Sequence, residues 1–372
     1  VPFADELLGR PQALALAAAF AAASPDLPLT ALRAAPDRLE PLTLGRRSDL
    51  LRDAVLADVP GTYADLEAVV RRTTAAGALV GWAVWPVGSA LATRALQDPE
   101  AQADGVAAFD AALAMLAELT HLLTAEFSIR ALLRHDLDRA LATITSWTPS
   151  PDEHVRRLAS EGTRSYLPWA TRVPALLDRP EATLPLLDAL RRDPSDYVRR
   201  SVANHLNDLS RHHGDLVVAT AGRWLAEPDA HTPALVRHAL RTLVKRGDPG
   251  ALALLGYGGS DLAVGAIELT ATEVPFGGEV GFAATVTNGG DEPARVAIDY
   301  VVHHQKANGT LTPKTFKLAS PTLAPGEAYV VRKVHSFRPI TTRRYHPGAH
   351  ALELQVNGVA QGPVDFVLLP EA

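Results

Sequence analysis

The stretch from residue 149 to residue 208, PSPDEHVRRLASEGTRSYLPWATRVPALLDRPEATLPLLDALRRDPSDYVRRSVANHLND, contains one pattern twice: an acidic, Pro-containing turn, then Val-Arg-Arg opening an amphipathic helix. Val155-Arg156-Arg157 and Val198-Arg199-Arg200 are 43 residues apart, and a degenerate copy, Val236-Arg237-His238, follows 38 residues after the second. Such spacing predicts stacked helical hairpins of the HEAT class, in which each unit buries its apolar face only against its neighbours. The chain therefore contains an α-solenoid.

Upstream of this stretch, the 3.6-residue period predicts helices within 1–23, 48–56, 65–74, 103–123 and 125–147. The segment WAVWPVG interrupts them, and Trp82, Trp85 and Phe109 are expected to fill the core without chemical roles. In a continuous helix Glu126 and Arg130 lie four apart and share a face, which predicts a surface ion pair. Arg157 and Glu161 have the same spacing, and the repeat of 43 places Asn204 where Glu161 stands one unit earlier. Trp169 follows Pro168 at a helix start. It either caps the core or stands at the lip of the concave face, and burial statistics favour the core.

Past Gly247 and Pro249 the period changes to two. LAVGAIEL, EVGFAATVT, ARVAIDYVVH, TFKLAS, EAYVVRKVH, HALELQV and VDFVLL read as strands separated by Gly, Asn and Pro turns. Seven short strands in about 110 residues suggest a two-sheet sandwich of immunoglobulin type. The predicted fold is a solenoid over residues 1–257 followed by an all-β sandwich over 258–372. Two of the sandwich turns are polar and basic: one holds Lys306 and Asn308, the other Arg343, Arg344 and Tyr345.

Composition limits the function classes. No cysteine occurs, so disulfide frameworks and thiolate zinc sites are excluded. Walker, Rossmann, nucleophile-elbow and HExxH patterns are absent too, and neither an export segment nor an apolar run of eighteen residues is found. The expected protein is soluble and cytoplasmic, with no cofactor or metal. Net charge is -6, yet residues 126–250 carry 18 basic against 16 acidic side chains and are the only net-positive third. Basic residues at successive helix starts form a local track even on an acidic protein. By themselves, periodicity and charge support a non-enzymatic DNA-binding or protein-binding scaffold and do not show catalysis.

Longer motifs carry a resemblance. EFSIR at 126–130, HVRRLASEGTR at 154–164, LPWATR at 167–172, DPSDYVRRSVANHLND at 193–208, HALRTLVKRGD at 238–248, HHQKANG at 303–309 and TTRRYHPGAH at 341–350 resemble the AlkC branch of the DNA alkylation repair proteins. These are HEAT-like DNA glycosylases related to the AlkD group, and one AlkC subgroup carries an immunoglobulin-like domain after its repeats. The similarity runs from about Arg46 to the end of the chain.

The resemblance implies excision of 3-methyladenine and 3-methylcytosine from damaged double-stranded DNA, without flipping of the lesion into a pocket, by a monomer without lyase activity that associates with the nucleoid when acting. It assigns catalytic roles to Glu126, Glu161 and Trp169. The remaining motif residues, Arg156, Arg157, Arg199, Arg200, Asn204, Lys306, Asn308, Arg343 and Arg344, are then expected to bind DNA. Ser128, and the ALL that follows Arg130, depart from the usual family pattern.

Overall fold

A computed structural model describes residues 4–103, 105–257, 261–339 and 344–371. Two compact units are formed, residues 1–211 with 228–239 and residues 212–227 with 240–372.

The first unit is helical, and its early helices are Ala4–Leu8, Arg10–Ala23, Leu44–Asp58, Tyr63–Ala75, Val84–Ala95 and Ala108–Leu119. Each turns Leu, Val, Ala or Phe inward at helical spacing. WAVWPVG does not break the chain. Pro86 falls in the first turn of the Val84–Ala95 helix, where a missing N–H leaves no hydrogen bond unmade.

The run 125–147 is also not one helix. Glu126 lies in a turn closed by Ser128 N–H and Ile129 N–H on the Ala125 carbonyl, and the helices Ile129–His135 and Leu137–Thr145 follow, separated by Asp136, whose carboxylate caps the second. Glu126 and Arg130 therefore do not share a helical face.

The repeated motif opens helices Glu153–Glu161 and Asp196–Leu209, and the degenerate copy lies in Thr232–Ala239. Asp152 caps the first of these through His154 N–H at 2.8 Å. Val198 and Val236 are fully buried, while Val155 is half-buried.

The second unit joins the helices Gly214–Ala226, Arg241–Lys245 and Pro249–Leu254 to a β-sandwich. One sheet has the order 328–336, 279–288, 262–264, with 268–269 also pairing to 279–288. The other has the order 273–274, 359–368, 348–356, 298–305, 311–319 and is antiparallel except where 273–274 runs parallel to 359–368. Inward-facing Phe282, Val286, Ile298, Val302, Leu352, Leu354 and Phe366 fill the space between the sheets. Each predicted strand is present, the first as the two pieces 262–264 and 268–269 and the third as 294–295, which pairs with 322–323, and 298–305.

Candidate active site

Two carboxylates that are far apart in sequence meet on one guanidinium. Arg157, in the second turn of the Glu153–Glu161 helix, donates to Glu126 Oε2, and its other amino group stands 3.5 Å from Glu161 Oε1. Helical spacing brings Glu161 to Arg157, one turn on. Packing of the Ile129–His135 helix brings Glu126. Gly162 makes that approach possible, because a Cβ there would collide with Ile129. The Arg157 guanidinium also lies 5.2 Å over the ring of Tyr197, which belongs to the next repeat.

Glu161 is 6% exposed and held on both oxygens. Arg164 donates to Oε1 at 2.6 Å and Ser201 Oγ to Oε2 at 2.6 Å. Arg164 is itself clamped in a bidentate pair with Asp208 at 2.8 and 3.1 Å. Burial pushes the Glu161 carboxyl upward, but Arg157, Arg164 and the Ser201 hydroxyl together outweigh it and hold the group below its ordinary value. Glu161 is thus ionised at neutral pH. Hydrogen bonds fill two of roughly four carboxylate acceptor sites, with Arg157 adding a charge at 3.5 Å, which leaves room for a water or a positive charge.

Trp169 is 59% exposed, with φ at +62°, a left-handed conformation that tryptophan seldom adopts. The expectation of a core position was wrong: beyond Pro168 the chain makes a loop rather than a helix, and the indole projects from it. Trp82 stands 6.3 Å from it and 6.4 Å from Trp85, which stacks on Phe127 at 4.3 Å. Trp85 and Phe109 are core residues as expected, but half-buried Trp82 supports Trp169.

Arg130 fixes the loop. It is fully buried and donates to the carbonyls of Thr171 at 2.6 Å, Gly162 at 3.0 Å and Arg164 at 2.9 Å. Burial, together with Arg172 and Arg164 nearby, pulls its pKa down to about 10, so it stays charged at neutral pH. This corrects the surface ion pair expected with Glu126.

Comparison with known proteins agrees with this architecture. Residues 88–243 match the family model described as DNA alkylation repair enzyme, and residues 263–370 match the C-terminal Ig-like domain of the uncharacterised protein YhaZ. The uncharacterized protein YhaZ of Bacillus subtilis (strain 168) is 36% identical over 264 residues, 70% of this chain and 73% of that one. The structure of Pseudomonas fluorescens alkylpurine DNA glycosylase AlkC, bound to DNA containing an abasic site analog, superposes with a TM-score of 0.87 and 30% identity over 99% of this chain and 100% of that one. The chain belongs to the AlkC-type DNA alkylation repair family.

Within this family member the residues expected on a DNA track have different surroundings. Arg156 makes a bidentate pair with Asp193 at 2.6 and 3.1 Å and reaches the carbonyls of Ser150 and Pro151. Arg199 donates to the Asp193 and Pro194 carbonyls. Arg156 thus ties one repeat to the next, whereas Arg199 closes the turn that opens its own repeat. Arg200, in contrast, is 68% exposed and pairs only with Asp196, itself exposed, among the described residues.

Asn204 shares a 2.9 Å hydrogen bond with His238. Lys306 and Asn308 are exposed in a turn that Asn308 closes onto Thr310, and Arg344 is exposed as well. Tyr345, read as part of the same solvated turn, is instead buried against Phe337. Arg343 lies outside the described residues.

Sequence reasoning passed over Arg130, Arg164, Ser201 and Asp208 as site-shaping residues. All four lie inside the quoted motifs, which was the only available signal, since their partners are set by tertiary packing.

Proposed function

We propose that the chain is a monofunctional DNA glycosylase that removes cationic alkylated bases, chiefly 3-methyladenine and 3-methylcytosine, from duplex DNA. The observation that carries this reading is the pair Glu126 and Glu161 on one guanidinium, in the helical unit that also bears the exposed Trp169. Likeness to a glycosylase structure bound to DNA containing an abasic site analog supports it.

Methylation at N3 makes the base a cation and a good leaving group, so no strong general acid is needed. The glycosidic bond breaks with its electron pair going to the base, which leaves neutral, and an oxocarbenium-like sugar remains. An ionised carboxylate nearby stabilises that charge. Glu161 suits this role because its ionised form is favoured in the fold. For the same reason it is a weak base. It therefore orients the attacking water, whose proton passes to bulk solvent as the new C–O bond forms.

Glu126 supplies the second carboxylate, directed at the sugar or the water. Trp169 packs on the deoxyribose or faces the cationic lesion. With both carboxylates presented from the helical unit, the attack comes from the sugar side and needs no flipping of the lesion into a pocket. The first lysine of the chain is Lys245, outside the unit that carries the carboxylates, which supports hydrolysis without a Schiff base or a lyase step.

Phosphate contacts are assigned to Arg200, Lys306, Asn308 and Arg344, with Arg156 holding adjacent repeats in register and Arg199 closing its own turn. The test is release of 3-methyladenine from methylated duplex DNA by the purified chain, with strand scission followed in parallel. Base release without scission is the expected result, and binding of the DNA with no base released points to a non-enzymatic scaffold.

A further inference from the structure

A cleft in the helical unit has neither of the two carboxylates in its lining. It encloses about 500 Å³ between the Leu44–Asp58, Val84–Ala95 and Ile129–His135 helices and the 169–171 loop, a size typical of small-molecule pockets. Trp85, Phe127 and Trp169 wall it, and Arg46, Arg52 and Arg134 stand around it. One carboxylate, Asp49, lines it among these arginines and takes Arg52 at 2.9 Å and Arg46 at 3.7 Å. The Arg134 guanidinium is exposed and has no ion pair or hydrogen bond among the described residues. Arg52 is also paired with Asp53 at 2.8 Å, so the positive charge left over is that of Arg134. Aromatic faces beside an unneutralised guanidinium are the chemistry that holds an unstacked nucleotide: the base stacks and the phosphate takes the charge.

We infer that this cleft seats one unstacked nucleotide of the bound DNA, its base against Trp85 and Phe127 and its phosphate on Arg134 and Arg46. The inference rests on the glycosylase reading for its ligand. The seated nucleotide is assigned as other than the lesion because neither Glu126 nor Glu161 is among the residues that line the cleft. It is a neighbour or the opposite nucleotide, displaced when the duplex bends at the damage. The Arg130 hydrogen bonds to Thr171, Gly162 and Arg164 make the loop side of the cleft a fixed wall. Trp169 belongs both to this wall and to the proposed catalytic set, so filling the cleft would hold the indole in place.

Photocrosslinking of the full chain tests the inference. Duplexes with an abasic-site analogue carry 5-iodouracil opposite the lesion or at each flanking position, and the crosslinked residue is found by mass spectrometry. The expected result is a crosslink to Phe127 or Trp85 from at least one position, lost when Ala131→Leu fills the cleft from the Ile129–His135 helix. Arg134→Ala, at an exposed position, should keep the melting temperature and weaken DNA binding about fivefold to tenfold at low salt. Crosslinks confined to residues outside the cleft, or unchanged by Ala131→Leu, would overturn it. Base release by wild type is measured on the same preparations. Release without a cleft crosslink sinks this inference alone, and a cleft crosslink without release sinks the glycosylase reading alone.

Discussion

Arg164 donates to Glu161 at 2.6 Å from the turn just past the helix that ends on that glutamate. The same guanidinium is locked on Asp208, so its position does not depend on Glu161. A fixed positive charge beside a buried carboxylate keeps that carboxylate ionised, which is what stabilisation of an oxocarbenium-like sugar requires.

Acid dependence follows from this pair. Burial raises the Glu161 pKa, but the two arginines and Ser201 bring it below the ordinary value. Activity that needs the ionised form should persist through the usual carboxylate range of about 4 to 4.5 and fall only at lower pH. The stability contributed by the ionised group is likewise present above its unfolded pKa and lost as pH falls through the folded one. In Arg164→Leu the acid midpoint should move upward, toward neutral pH. Single-turnover base release across pH, corrected for spontaneous depurination, checks this; an unmoved midpoint contradicts it.

Trp169 should separate stability from activity. Its φ of +62° costs about 1–2 kcal/mol for a residue with a Cβ. Trp169→Gly relieves that strain and should melt no lower than wild type, while Trp169→Ala keeps the strain and loses the contact with Trp82. Both should release base at least about tenfold more slowly, equivalent to ~1.4 kcal/mol or more. Thermal melts and excision rates on the three proteins decide it.

Arg130 should behave as a structural cation. Its removal strips three carbonyls, two of them buried, of their donors. Arg130→Met should cost about 3 kcal/mol or more in denaturant unfolding of the chain. Lysine should not rescue it, because a compact ammonium cannot span three carbonyls as the planar fork does. A Lys variant as stable as wild type would remove this account of the loop.

Arg156 and Arg200, from successive Val-Arg-Arg copies, should part company under salt. Arg156 is half-buried in its pair with Asp193, whereas Arg200 is exposed. Arg200→Ala should reduce the slope of log binding against log salt by about one, with little change in melting temperature. Arg156→Ala should do the reverse. Binding titrations at several salt concentrations, with melts alongside, distinguish them.

Much of the architecture was legible in the chain. The spacing of Val155 and Val198 marks the repeats, and the two-residue alternation past Gly247 marks the sandwich strands. The motifs also singled out Glu126, Glu161 and Trp169 as residue types.

Placement was less legible. Helical periodicity put Glu126 on a helix beside Arg130, but a local turn and Arg130's carbonyl partners 32 to 41 residues downstream decide otherwise. Trp169 is exposed because the chain turns left-handed after Pro168, and a proline signals a break without giving its direction. Arg156 and Arg157 are adjacent and alike in sequence. Which one faces a neighbouring repeat and which one faces the carboxylates depends on a helical phase set by packing.

The central claim is that Glu161 acts on the sugar, and the most direct measurement is single-turnover release of 3-methyladenine by Glu161→Gln under conditions where the DNA is fully bound. Glutamine keeps the shape and can still accept from Arg164 while removing the charge. The account predicts a loss of at least about 100-fold in rate, of the order seen when an electrostatic stabiliser of a transition state is removed, with binding to abasic-analogue DNA within a few-fold of wild type. A Glu161→Gln variant that releases the base at the wild-type rate would contradict it.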